Sequence, residues 1–510
     1  MRQNNGIFLH PMVQILGQVQ AYSRAFNVNL WTGDHVRLDE YVDELFERYF
    51  FSRKAESRKR TIKIVLLNLY QAWCDDPTLL IAFAQNPNFY RPKSLYNEAG
   101  LSKLVVGIVH GLIENGLIVR HQGFFDHVRG IGRRSRIWAS EALLEIFSDL
   151  GLSPLDIYPY GQQWSVVLRE TDEDAESQDI EYAPTPATDQ MAGLLGRYNT
   201  LLRHTFIDIP TLEEPCLIDG NGRVIFSLGN DRKYVRRIFN RGSLDFDCGG
   251  RFYGGWWQSC PKELRSQIFI NDHPTNEVDF SGLHIVMLYA RKGISYWGLV
   301  GTDPYLVPPI EWLGSPEEQR KAVKGLLLML LNAETPDKAY AAFRQSQPTG
   351  HRLKRLTNEQ LGEVHHALSE RHPHIAEFFG ADVGISLMNE DAKITEILIT
   401  RFVDRTLPIL SIHDSYIVPC GYEDFLIEEM ANAFQEVMNV PLPTTDQTLT
   451  ETSPRTEVLW NMLMSWVPYE GYVHPEETEY RERINPVRTS RYLQNLKQYK
   501  LFSSSRSSGR

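Results

Sequence analysis

Cysteine is scarce in this 510-residue chain. Its five residues (Cys74, Cys216, Cys248, Cys260 and Cys420) are odd in number, scattered and without a CxxC pair. That argues against a disulfide framework or a cysteine-based zinc site, and it fits a reduced, cytoplasmic setting. Long apolar runs are missing as well. Gly325–Leu331 falls far short of the roughly 20 residues a membrane span needs, and the opening Met-Arg-Gln-Asn-Asn-Gly has no signal-peptide core, so neither a membrane partner nor a leader is expected. Positive charge is in deficit: 53 Lys and Arg against 64 Asp and Glu give a net charge of -11. An average of that kind opposes nucleic-acid binding, but binding depends on local clusters, and these exist. Glu170–Glu181 holds no Lys or Arg and leads into Ala183-Pro-Thr-Pro-Ala-Thr188. Residues 169–190 therefore read as a solvated linker between two domains.

Upstream of the linker, residues 1–168 read as mostly helical, and the first 60 carry no usable motif. Ile62, Val65, Leu66, Leu69, Tyr70 and Trp73 have helical spacing. Ser94–Gly100 is expected as a short helix. Ser102 is expected to cap a second one, with Leu104, Val105, Ile108, Val109, Leu112 and Ile113 on one face and a stop at Asn115-Gly116. Leu117–Val119 and Ile137–Ala139 read as strands around a basic, glycine-rich loop with Arg129, Arg133, Arg134 and Arg136. Over about 60–150 this order resembles a winged helix-turn-helix. The resemblance implies a helix in the major groove of a duplex and a wing on its phosphates, with Lys103, His110 and the four arginines as contacts. A module used only for packing is the plainer alternative, and four arginines in eight residues weigh against it.

Downstream, residues 191–486 carry the candidate chemistry. Arg232–Arg241 packs five cations around Tyr234 and Phe239, either a phosphate-tracking surface or a wet helix face. Asp247-Cys-Gly-Gly250-Arg251 has a glycine turn that would let Arg251 meet a phosphate. Gln258, Pro261 and Arg265 precede a strand-like run ending in Asp279, which a helix-like run to Ala290 follows. Leu410–Val418 reads as a tight hairpin with His413-Asp414 at its tip. Singly, Asp279 is as readily a helix cap and Asp414 a turn residue. Together on adjacent strands, two such carboxylates are what a pair of divalent ions needs. Glu317–Asn332 reads as a helix started by Ser315-Pro316, with Arg320 and Lys324 on one face and Val323, Leu326, Leu327, Leu330 and Leu331 on the rest. Such a cation pair suits a triphosphate.

In this order, over roughly 230–420, the motifs resemble the single-subunit nucleic-acid polymerases: family A DNA polymerases and the related phage and mitochondrial RNA polymerases. Asp247-x-x-Gly250-Arg251 is similar to their motif on the template and primer backbone, and Gln258-x-x-Pro261 with Arg265 to the approach to motif A. Asp279-Phe-Ser281-Gly-Leu-His284 looks like motif A, Arg320-x-x-x-Lys324 like motif B and His413-Asp414 like motif C. The resemblance implies that Asp279 and Asp414 hold two Mg2+ (Mn2+ as a substitute) and that Arg320 and Lys324 grip the nucleotide beside Ser281, His284 and Asn332. It adds Asn389 and Lys393, on the helix before motif C, as strand contacts. Four positions depart from the pattern. Asn332-Ala333 replaces Tyr-Gly, Ser415 replaces Glu, and His284 stands where the DNA enzymes have Glu. His284 could block a ribose 2′-hydroxyl or hydrogen-bond to it.

The fold implied is α+β: a right-hand palm-and-fingers domain preceded by the winged helix, with residues 487–510 as a basic, Ser-rich, flexible tail. The function implied is template-directed nucleotidyl transfer. The reading favoured is a compact DNA polymerase without a proofreading exonuclease, in plasmid or phage replication. An RNA polymerase or primase on the same scaffold and a catalytically silent DNA-binding regulator are the alternatives. DNA (template, primer and a duplex site) and nucleoside triphosphates would be its partners.

Overall fold

The structure, a computed structural model, describes residues 22–126, 131–171, 177–218, 224–451, 482–483 and 485–507. It is mixed α and β, with one apolar core running from Phe26 to Ile157 and another from Val166 to Leu449.

The first core is built on β1 (Ser23–Ala25), α1 (Val36–Leu45), α2 (Ala55–Asp75), β2 (Leu80–Phe83), α3 (Leu104–Glu114), β3 (Ile118–His121), β4 (Ser135–Ala139) and α4 (Glu141–Leu150). Every residue of α2 from Thr61 to Ala72 is buried, so this helix is central and not half-exposed as its spacing suggested. The sheet runs β1-β2-β4-β3. A small hairpin, Phe124–Asp126 with Ile131–Arg133, rises between β3 and β4. Arg129 lies outside the described residues. The short helix expected over 94–100 is a series of turns. Asn97 is the reason: its amide donates to the Arg91 and Leu101 carbonyls (2.9 and 2.7 Å) and its oxygen accepts from the Leu101 N–H, an alternative to helical hydrogen bonding.

The expected linker is also mostly structured. β5 (Val166–Thr171) and β6 (Ser177–Ile180) pair antiparallel, joined by the Arg169–Asp179 ion pair at 2.8 Å. Their polar side chains face solvent because β6 is a sheet edge, so the acidic composition marks an exposed strand and not a spacer. α5 (Pro186–Arg203) follows, opened by a Thr185–Thr188 capping box. β7 (Arg236–Phe239) and β8 (Gly249–Tyr253) complete the sheet β6-β5-β7-β8. The cationic Arg232–Arg241 run therefore presents no phosphate-tracking face. Lys233 is buried on the Thr205 carbonyl (2.6 Å), and buried Arg237 pairs with Glu396 (2.5 Å).

The second core continues through β9 (Phe269–Ile270), β10 (His273–Phe280), α6 (Leu283–Arg291), α7 (Pro316–Asn332), α8 (Pro336–Ser346), α9 (Asn358–Arg371), α10 (Gly384–Asp404), β11 (Leu410–Ile412), β12 (Ser415–Pro419), α11 (Glu423–Met438) and β13 (Leu449–Glu451). β10 is the hub of the third sheet, hydrogen-bonded to β9, β12 and β13, with β11 beyond β12. The expected flexible tail is α12 (Ser490–Ser507). It docks because Tyr492 and Leu496, one helical turn apart, bury against Phe206 while Arg491 pairs with buried Asp208. No helix among the described residues is long and apolar enough to cross a membrane.

Candidate active site

β10 and β12 pair antiparallel with Asp279 opposite Ser415, and the Phe280 N–H donates to the Asp414 carbonyl at 3.3 Å. The two acids are thus neighbours at the end of the sheet, although the whole of α6–α10 separates them along the chain. Asp279 lies one residue from the end of β10, just before a turn, and Asp414 lies in one. Gly282, at φ 63°, turns β10 into α6, and a Cβ there would meet the Pro304 ring at 2.4 Å. His413, at φ 56°, occupies the left-handed region in the two-residue turn between β11 and β12, a conformation that costs a non-glycine residue energy.

Both acids line one cleft of ≈ 1170 Å3, together with Arg251, Ser281, His284, Arg320, Lys324 and Asn332. Burial, then Asp414, then Glu277 raise the Asp279 carboxyl to about 7, against the opposing pull of Lys324 and Arg265. No hydrogen bond from the described residues to that carboxylate relieves it. Two hard oxygen ligands in mutual repulsion fit a divalent cation. No group of three or more His, Cys, Asp or Glu among the described residues forms a complete cage.

α7 supplies the opposite wall. Its Ser315–Glu318 capping box and Pro316 start it where the sequence indicated, and Val323, Leu326, Leu327, Leu330 and Leu331 are buried. Arg320 and Lys324 flank Tyr305, 5.2 and 5.3 Å from its ring centre. Arg320 also pairs with Asp303, which raises its affinity for its proton. Asn332 donates to the Leu328 carbonyl and packs on Gly384.

Several residues expected on nucleic acid have protein partners. Arg251 grips Asp391, a buried acid on α10, through Nε and Nη2, and His284 Nε2 reaches the same carboxylate at 3.1 Å. Gln258 donates to the Phe252 and Ser411 carbonyls (2.9 and 3.1 Å), tying β8 to β11. Arg265 holds Glu277 at 2.8 Å, whose other oxygen accepts from the Ser415 hydroxyl at 2.6 Å. Asn389 is buried, donating to the Phe246 and Gly249 carbonyls (3.0 and 3.1 Å). The physical reason is common to all four: a polar side chain beneath a sheet or turn must satisfy itself internally. Gly250 is buried at φ 91° against the Phe239 ring. Asp247, exposed, accepts from the Ser243 hydroxyl, which with Cys248 lowers its pKa. Lys393 is exposed near Asp247. The His413 ring lies 5.5 Å from Tyr253, and burial lowers its pKa.

Two features escaped the sequence. β13 pairs beside Asp279, where Ser281 and Thr450 hydroxyls meet at 2.9 Å and Asp446 lines the cleft. Its three residues after a Pro/Thr run were too short to read as a strand. Asp391 had a signal, an acid in line with Leu387 and Thr395 on one helical face, which marks a buried charge needing a partner.

No protein-family model matches the chain, and no curated protein matches it. One solved structure that is similar is the POL domain of Pol1 from M. smegmatis, in complex with DNA primer-template and dNTP. It is 12% identical with a TM-score of 0.30, and the match covers 82% of this chain and 71% of that one. Similarity of that size leaves the function to be argued from the residues themselves.

Proposed function

We propose that the chain is a template-directed nucleotidyltransferase, a compact DNA polymerase that uses two Mg2+. The observation that carries this reading is the pairing of β10 with β12, which brings Asp279 and Asp414 together across a cleft from Arg320 and Lys324. Asp279 and Asp414 would hold the metals. When bound, the ions supply the charge that lets a 3′-hydroxyl attack an α-phosphate in line and steadies the departing pyrophosphate. Arg320 and Lys324, spaced one helical turn apart, would take the β- and γ-phosphates, with the Tyr305 ring placing both cationic heads. Arg251 keeps one guanidinium nitrogen, Nη1, without a hydrogen-bond partner among the described residues, and this is the group it could offer a strand. His284, clamped through Nε2, would stand beneath the sugar.

The test supplies a single-stranded template, with and without primer, and dNTPs or rNTPs separately. Primer-dependent dNTP incorporation by the wild type, abolished by Asp279→Ala, is the expected result. Incorporation of rNTPs alone would replace it with the RNA polymerase or primase reading. No incorporation of either would overturn it in favour of a silent DNA-binding protein.

A further inference from the structure

The surface around β4 and the small hairpin carries an arrangement that a duplex would not use. Phe89 ends the one-turn helix Pro87–Phe89, which Pro87 and an Asn86 side chain accepting from the Asn88 N–H start rigidly. Tyr90 anchors the turn from below, its hydroxyl donating to the Ala84 carbonyl at 2.8 Å. The Phe89 ring is nevertheless 48% exposed, with the Arg134 guanidinium lying over it at 4.6 Å. Phe124, opposite Arg133 in the hairpin, is 52% exposed. Gln85 and the Gly123 N–H both bond the Ser135 hydroxyl (2.8 and 2.9 Å), joining these three segments into one surface. Arg136 loses proton affinity to burial and to the nearby charges of Arg133 and Arg134. Exposed aromatic rings held rigidly beside Arg134 and Arg136, neither of which pairs with a carboxylate among the described residues, present open faces to an incoming base and cations to its phosphate.

The neighbouring helix argues against duplex readout. The outward positions of α3 include Lys103, Gly107 and Glu114, and His110 is tied to Arg120 at 3.1 Å. They offer little that could read base edges in a major groove, and the helix expected before α3 is absent. Bases in a duplex are already stacked on one another, whereas unpaired bases have open faces for a ring or a guanidinium plane.

We propose that Phe89, Phe124, Arg134 and Arg136 form a platform for single-stranded nucleic acid, the rings and the Arg134 plane stacking on bases and the arginines meeting phosphates. The proposal builds on the nucleic-acid reading of the hairpin arginines and does not depend on the chemistry of the cleft. The test measures binding of the full chain to a fluorescent oligothymidine and to a duplex of equal length, with 5-iododeoxyuridine crosslinking to locate the strand. Phe89→Ala and Phe124→Ala are expected to weaken oligothymidine binding about tenfold each while leaving duplex binding nearly unchanged. Phe89→Tyr should retain binding, and crosslinks should map to residues 86–90 and 122–124. Melting curves confirm that each variant is folded. Unchanged oligothymidine affinity, or an equal loss on duplex, would overturn the proposal. A chain that incorporates no nucleotide yet shows the stacking loss keeps this platform and loses the polymerase reading.

Discussion

In the cleft, Arg251 and Arg320 each end on a carboxylate, Asp391 and Asp303, as Arg265 nearby ends on Glu277. On the hairpin surface, Arg134 ends on an aromatic ring and Arg136 on the Arg134 carbonyl at 2.7 Å, with no carboxylate paired to either among the described residues. The difference lies in what each set of charges can still do. Matched pairs hold side chains in fixed places, so the cleft is a preorganised scaffold in which the paired arginines chiefly position other groups. Crowded, unmatched cations retain their long-range field and gain most when an outside anion arrives.

The comparison breaks first at the carboxylates. Asp414→Ala, like Asp279→Ala, should cost several kcal/mol of transition-state stabilisation, roughly a thousandfold in incorporation rate, with the melting temperature little changed. Retained activity would show that the cleft is not the chemical centre. Next, Asp391→Asn leaves the guanidinium of Arg251 without its counter-charge. Because Asp391 is fully buried and Arg251 nearly so, urea unfolding should register a loss of about 3 kcal/mol. An unaltered midpoint would mean that the pair is not structural.

A similar effect in size is expected from pH. His372 is buried, its Nε2–H donating to the Pro304 carbonyl at 2.8 Å beside the Tyr305 segment, with the Tyr289 hydroxyl on Nδ1. Burial draws its pKa down to about 4. The unfolded chain, with a histidine pKa near 6.5, binds the proton first. This contribution is therefore complete above pH ~6.5 and fades as pH falls toward about 4. Wild type should lose about 3 kcal/mol of stability across that window, and His372→Gln should lack this component; parallel profiles would refute it. The smallest effect sharpens the other side of the comparison. Arg136→Ala should weaken oligothymidine binding a few-fold and reduce its salt slope by about 0.7, whereas Arg320→Ala should leave that slope alone.

Legibility varied along the chain for physical reasons. α7 could be read almost to the residue, because a Ser-Pro start, a capping Glu and an apolar stripe act within a few positions of one another. The His413-Asp414 turn was readable likewise. The 169–190 stretch and the tail were misread because their composition is that of exposed chain. Exposed edges of sheets and docked helices share that composition, and only the partners Arg169, Phe206 and Asp208 distinguish them.

From its own order of residues the chain specified where helices begin, where chains turn, and which side chains have the chemistry for metal and phosphate. Folding alone decided which of those side chains meet. It set Asp279 beside Asp414, gave Arg251 to Asp391, and laid Arg134 over Phe89. Caps and turns are satisfied by neighbours a few residues away, whereas a buried charge takes its partner from whatever segment packs against it.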